Sequence, residues 1–172
     1  MSKTVAKKPL ALPTRFSSAS PLSERSRTRL TLALNERLLD GLDLQLQVKV
    51  AHWNVRGPQF VALHAFFDAL ATSLTGFNDQ VAERSAALGG LALGTARQVA
   101  AHSRIAEFPL EVTRDLTIVA ALVARLDTHI EGLRSTRTVA EEEGDVDTAD
   151  LLTAQLAELE KTGWMMRATL DV

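Results

Sequence analysis

The 172-residue sequence contains no cysteine and no tyrosine. Without thiols it can build neither a disulfide scaffold nor a thiolate metal site, it lacks a thiol nucleophile, and it suits a reducing compartment. Aromatic residues make up only 5%, no Asn-Gly pair occurs, and no stretch sustains polar–apolar alternation, so strand and hairpin signals are missing. There is no run of eighteen apolar residues and no apolar segment of signal-peptide length near the N-terminus. The expectation is a cytoplasmic protein that does not engage a membrane. What remains, with 46% hydrophobic residues, is a chain able to bury one core.

Charge is divided unevenly along the chain. Residues 1–29 carry Lys3, Lys7, Lys8, Arg15, Arg25, Arg27 and Arg29 against Glu24 alone, while the other 143 residues hold 12 basic and 20 acidic side chains. A basic arm on an acidic body points to two partners of opposite charge. Residues 1–19, with Pro9, Pro13 and no acid, are expected to form a disordered arm, and residues 20–172 a folded domain. The arm suits DNA phosphates, which Lys3, Lys7, Lys8 and Arg15 would contact without reading sequence. A solubilising tail or an organelle-targeting peptide would have a similar composition.

The folded part reads as helices. Leu30, Leu34, Leu38, Leu42, Leu46 and Val50, joined by Leu39, predict a helix from a Ser20 cap with Pro21 in its first turn to about His52. Gly41 inside it costs about 1 kcal/mol relative to alanine. After a break at residues 54–58, Phe60, Leu63, Phe67, Leu70, Leu74, Phe77 and Val81 mark a second helix ending near Leu88 at Gly89-Gly90. A short helix over residues 95–101 is expected in the connection. A third long helix follows over about 113–143, then a fourth from an Asp147 cap to about Leu170 through Leu152, Leu156, Leu159, Gly163 and Met166. Trp164 is expected in the core. The fold class is all-α, a four-helix bundle with a short extra helix in the crossover between helices 2 and 3.

The stretch from Lys49 to Gly90 carries the chemistry. At about 100° per residue, Asp68, Asp79 and Glu83 lie within about 100° of His64, on a face separate from the apolar stripe and lined by Ala65, Ala71, Thr72, Thr75 and Gly76. Asp68 and Asp79 stand about 16 Å apart along the axis, too far to share an ion held at roughly 2 Å. The helix therefore presents two half-sites, His64/Asp68 and Asp79/Glu83, related by reversal about a point between Ser73 and Leu74. Two copies paired antiparallel about that point would bring unlike halves together twice, and the small residues would permit a close crossing. His52, at the end of the first helix, can reach the His64 end. Mixed imidazole and carboxylate donors suit iron, manganese or zinc. A solvated polar face with incidental histidines would show much the same spacing.

The segments HWNVRGPQFVALHAFFD (52–68), DQVAERSAALGGLALGT (79–95) and DTADLLT (147–153) closely resemble the Dps family, the starvation-induced DNA-protecting mini-ferritins. The resemblance implies a ferritin-like bundle assembling into a hollow homo-dodecamer. It implies ferroxidase sites at two-fold interfaces, with metal ligands His52, His64 and Asp68 from one subunit and Asp79 and Glu83 from the other. The expected activity is oxidation of Fe(II), preferably by hydrogen peroxide, with storage of ferric mineral, zinc or manganese being possible substitutes for iron. Trp53, beside His52, would donate electrons, intercept radicals or simply pack at the interface. Ala65 departs from relatives that carry an acid there, which would weaken a second iron position. Asp145, Asp147 and Asp150 match a region lining a three-fold iron-entry pore, and the family associates with the nucleoid. Larger ferritins build their site from Glu-x-x-His within one bundle, and that motif is absent. The competing expectation is a structural DNA-compacting protein whose metal site is vestigial or holds zinc.

Overall fold

The computed structural model describes Leu10, Leu12 and residues 16–171. Among these it contains five helices and, outside them, one isolated bridge: α1 (Glu24–Asn54), α2 (Phe60–Ala87), α3 (Ala96–His102), α4 (Asp115–Glu142) and α5 (Val146–Leu170). This is the expected four-helix bundle with a short helix in the second connection. Two of its starts differ from expectation. Ser23, not Ser20, caps α1 by accepting the Ser26 N–H, and Asp145, not Asp147, caps α5 by accepting from Thr148. In both places the capping side chain accepts from the N–H three residues further on, satisfying a free helix donor.

The core joins Leu30, Leu34 and Leu38 of α1 to Phe67 and Leu74 of α2, Leu122, Leu126 and Leu133 of α4, and Leu152 and Leu156 of α5. Each fully buried leucine contributes about 1.5–3 kcal/mol relative to exposure. The fourth-residue row on α1 does not stay in that core. Four residues advance about 400°, so such a row drifts by about 40° at each step. It leaves the core near Leu42, reaches solvent at Leu46 (58% exposed), and is replaced inside by Leu44, Val48 and Ala51. Trp164 corrects the sequence expectation in the same way. Gly163 and Met166 are buried, but Trp164 lies about 100° round from Gly163 and is 65% exposed.

The α1–α2 and α4–α5 turns are short, so each pair is antiparallel, and the crossover between α2 and α4 must return along the length of the bundle. Three polar side chains of α1 hold it in place. The Asn35 amide donates to the Leu91 carbonyl at 2.8 Å and accepts the Leu93 N–H at 2.7 Å. Asp40 accepts the Arg104 backbone N–H at 2.7 Å and its guanidinium at 2.8 and 3.0 Å. Gln47 donates to the Ala106 carbonyl at 3.0 Å. At the far end Arg56 and Thr113–Asp115 exchange two backbone hydrogen bonds of 2.8 and 2.9 Å. Asp115 then accepts the Gln59 N–H at 3.0 Å, capping α2 from another helix, and that bond leads the effects that hold its carboxyl below the usual range. Gly57, at φ 145°, permits this, because a Cβ there would collide with the Asp115 carboxylate. Gly41 has a similar reason to sit inside α1: Asn78 of α2 and His129 of α4 press against the place its Cβ would fill.

Candidate functional site

The α1–α2 hairpin brings His52, in the last turn of α1, onto His64, in the second turn of α2. Their rings stack with centroids 3.7 Å apart and planes inclined by 22°. His52 Nδ1 lies 2.8 Å from the His64 carbonyl oxygen, and His64 Nδ1 lies 2.9 Å from that of His52. A carbonyl can only accept, so each Nδ1 carries a proton, and in the neutral ring Nε2 then keeps the lone pair. The His52 carbonyl is free for this bond because the helix ends there: the Arg56 N–H that would continue the ladder goes to Thr113 instead. Orientation of an imidazole through its second nitrogen is how metal-binding histidines are set in place.

Asp68 lies one turn beyond His64, and Lys49 one turn before His52. Antiparallel pairing places them opposite each other, with Lys49 Nζ 2.7 Å from the Asp68 carboxylate. The Lys49 hydrogen bond and charge hold the Asp68 carboxyl below its ordinary range. Lys49 was not singled out from the sequence, although its position one helical turn before His52 was the available signal. Farther along the same face, Asp79 and Glu83 are exposed and their side chains have no hydrogen-bond or ion-pair partner among the described residues. Among those residues no group of three or more histidines and carboxylates within one chain can hold a metal ion. Within one subunit the two half-sites expected from the sequence stay separate.

Between and around the halves the surface is apolar or small. Val61 is 79% exposed, Trp53 60% and Leu46 58%, while Ala65, Thr72 and Gly76 are also open to solvent. By length and composition α2 could cross a membrane, although its most apolar stretch is not an unbroken apolar run. Only 28% of that stretch is buried within the subunit. Its outer side, where Val61 and small residues lie among the carboxylates, is without cover in one subunit.

The other candidates separate. Asp145 is 4% exposed, pairs with Arg84 at 2.6 Å and bonds Thr148, so it is taken up by the α5 cap and is withdrawn from the entry-path candidates. Asp147 and Asp150 remain exposed, whereas Glu142 and Glu143 pair with Arg29 at 2.7 and 2.6 Å. His129 is buried packing at 3% exposure. Lys3, Lys7, Lys8 and Arg15 lie outside the described residues.

Residues 31–172 match the ferritin-like domain family model. The chain is 36% identical over 135 residues to a DNA protection during starvation protein of Agrobacterium fabrum, covering 78% of this chain and 83% of that one. The chain belongs to the Dps family. A Dps relative of the same descriptive name from Mycolicibacterium smegmatis is 35% identical over 153 residues, 87% of this chain and 81% of its own. Among solved Dps structures, DpsA14 from Streptomyces coelicolor superposes with a TM-score of 0.88 at 34% identity, covering 94% of this chain and 96% of that one. A Dps from Vibrio cholerae O1, described as a member of a broad superfamily of ferritin-like diiron-carboxylate proteins, gives 0.83 at 27% identity over 87% and 94%. The family places this subunit among ferritin-like proteins, consistent with its bundle and its imidazole–carboxylate face.

Proposed function

We propose that this Dps subunit is a ferroxidase and iron-storage protein whose site is completed by a second copy of itself. The observation that carries this reading is the reciprocal Nδ1–carbonyl pair of His52 and His64, which leaves both Nε2 atoms for a metal, one helical turn from Asp68. Asp79 and Glu83 wait on the same helix without partners, at the place a two-fold reversal would bring to the His64 end of another chain. The exposed apolar surface around them supports that pairing.

Iron is the substrate. His64 and Asp68 hold the tighter Fe(II), with Glu83 of the second copy bridging or capping, and His52 and Asp79 attract a second, weaker one. Each ferrous ion gives up one electron. One hydrogen peroxide takes both, with two protons, and leaves as two waters, so paired irons release no hydroxyl radical. The ferric product is stored as mineral inside a dodecameric shell, which Fe(II) enters past Asp147 and Asp150. Lys3, Lys7, Lys8 and Arg15 hold DNA phosphates non-specifically, weak contacts multiplied by the number of arms. Such a protein works in the cytoplasm, at the nucleoid.

Anaerobic loading with Fe(II), then addition of peroxide while following ferric absorbance, tests the activity. One peroxide should be consumed per two irons. The double variant His52→Ala, His64→Ala should lose at least the roughly 10–100-fold that even outer-shell changes remove from a metal site. Oxidation at the wild-type rate by that variant would refute the site. For DNA, a salt-series gel shift should show binding lost on removal of residues 1–19, and equal retention by the truncated protein would refute the arm.

A further inference from the structure

The Lys49–Asp68 ion pair contributes little to the fold of one subunit. Its side chains are 31% and 57% exposed, and exposed pairs contribute about 0–1 kcal/mol. Its location gives it another use. Lys49 and His52 stand one turn apart on α1, and His64 and Asp68 one turn apart on α2, so the ion pair lies one helical turn from the stacked imidazoles.

Pairing two copies across this face, as in the shared site proposed above, adds the partner's Asp79 and the partner's Glu83 to Asp68. Three carboxylates then lie under a cover that includes Leu46, Trp53 and Val61. Loss of water there strengthens their mutual repulsion and raises the cost of leaving them without a cation. Arg84, the neighbour of Glu83, is already committed to Asp145.

We propose that Lys49 is the resident cation of the metal-free site: its ammonium holds Asp68, allows two copies to assemble before any metal is bound, and gives way when Fe(II) enters. Loading is thus an exchange of one cation for another on the same carboxylate. Lysine suits the task better than arginine, because a compact charge on a flexible stem leaves more readily than a planar fork bound through two nitrogens. The inference rests on the shared two-fold site.

The test uses full-length protein in EDTA and in Zn(II), read by sedimentation velocity across a dilution series. Wild type should remain assembled in both conditions. Lys49→Met should dissociate in EDTA at a protein concentration at least about tenfold higher than wild type, as expected when a buried charge loses its partner. Zn(II) should restore its assembly, and so should Asp79→Asn in the same chain without metal. Lys49→Arg should assemble in EDTA like wild type but bind Zn(II) more weakly. A Lys49→Met protein that assembles like wild type in EDTA overturns the role of Lys49 alone, as does a Lys49→Arg protein that fails equally. A wild type that stays monomeric under every condition overturns the shared site and this inference together.

Discussion

Along α1, Asn35, Asp40 and Gln47 turn toward the crossover and are 0%, 0% and 5% exposed, whereas Lys49 and His52 turn toward the open α2 face and are only part-buried. Both sets are polar, yet they are completed differently. The crossover set is satisfied within the chain: Asn35 bonds two backbone groups of the crossover, and Asp40 binds Arg104 through backbone and side chain together. The open set is satisfied only in part. His52 and His64 use one nitrogen each on the other's carbonyl, and Asp79 and Glu83 find no partner among the described residues. Polar groups completed inside one chain hold a fold together, and polar groups aimed but left incomplete mark where something else must bind.

The largest effect is expected at Asp40. Arg37 is 2% exposed and lies 3.2 Å from the Asp40 carboxylate, which also holds Arg104. Asp40→Ala should therefore destabilise the subunit by about 3–5 kcal/mol, the cost of leaving a buried charge unpaired, as read by chemical denaturation. A loss below 1 kcal/mol would show that the crossover does not depend on it.

A smaller effect comes from His129, which packs in the same region facing Asp40, Arg37 and Arg104. Burial pushes its imidazole down from 6.5 to about 4. Between those values the unfolded chain takes up a proton that the folded chain refuses. Stability present in full above pH 6.5 is thus lost as pH falls toward 4, by about 3 kcal/mol over the interval. Denaturation curves across that range should flatten by this amount in His129→Gln. An unchanged pH slope would contradict the burial of a neutral imidazole.

Much of the fold was legible because long helices advertise themselves by period. Of the α2 stripe, Leu63, Phe67, Leu70, Leu74 and Val81 are buried as the spacing indicates, Phe77 is half-buried, and Phe60, in the first turn, is exposed. The errors come from geometry that spacing alone does not carry. A strict fourth-residue row looked like one face of α1, but its slow drift takes Leu46 out to solvent. Asp145 and Asp147 are equivalent as letters, and only the local turn decides that Asp145 caps α5 and pairs with Arg84. The separation of His64/Asp68 from Asp79/Glu83 along α2 was readable from helical rise. The mutual Nδ1 bonds and the Lys49–Asp68 pair were not, because they depend on how α1 and α2 register against each other after a turn built on Gly57 and Asp115.

The central claim is that each site is built from two chains, and subunit complementation tests it directly. One variant carries His64→Ala and Asp68→Ala, the other Asp79→Asn and Glu83→Gln, and each alone should oxidise Fe(II) no faster than buffer. Because Asp68, Asp79 and Glu83 are exposed and His64 is half-buried outside the core, both variants should fold with nearly wild-type helical content. Unfolded together, mixed in equal amounts and reassembled, they form mixed pairs in which one of two sites has every ligand. Random pairing predicts recovery of about a quarter of wild-type ferroxidase activity. No recovery from a mixture that has demonstrably co-assembled would contradict a site shared between copies.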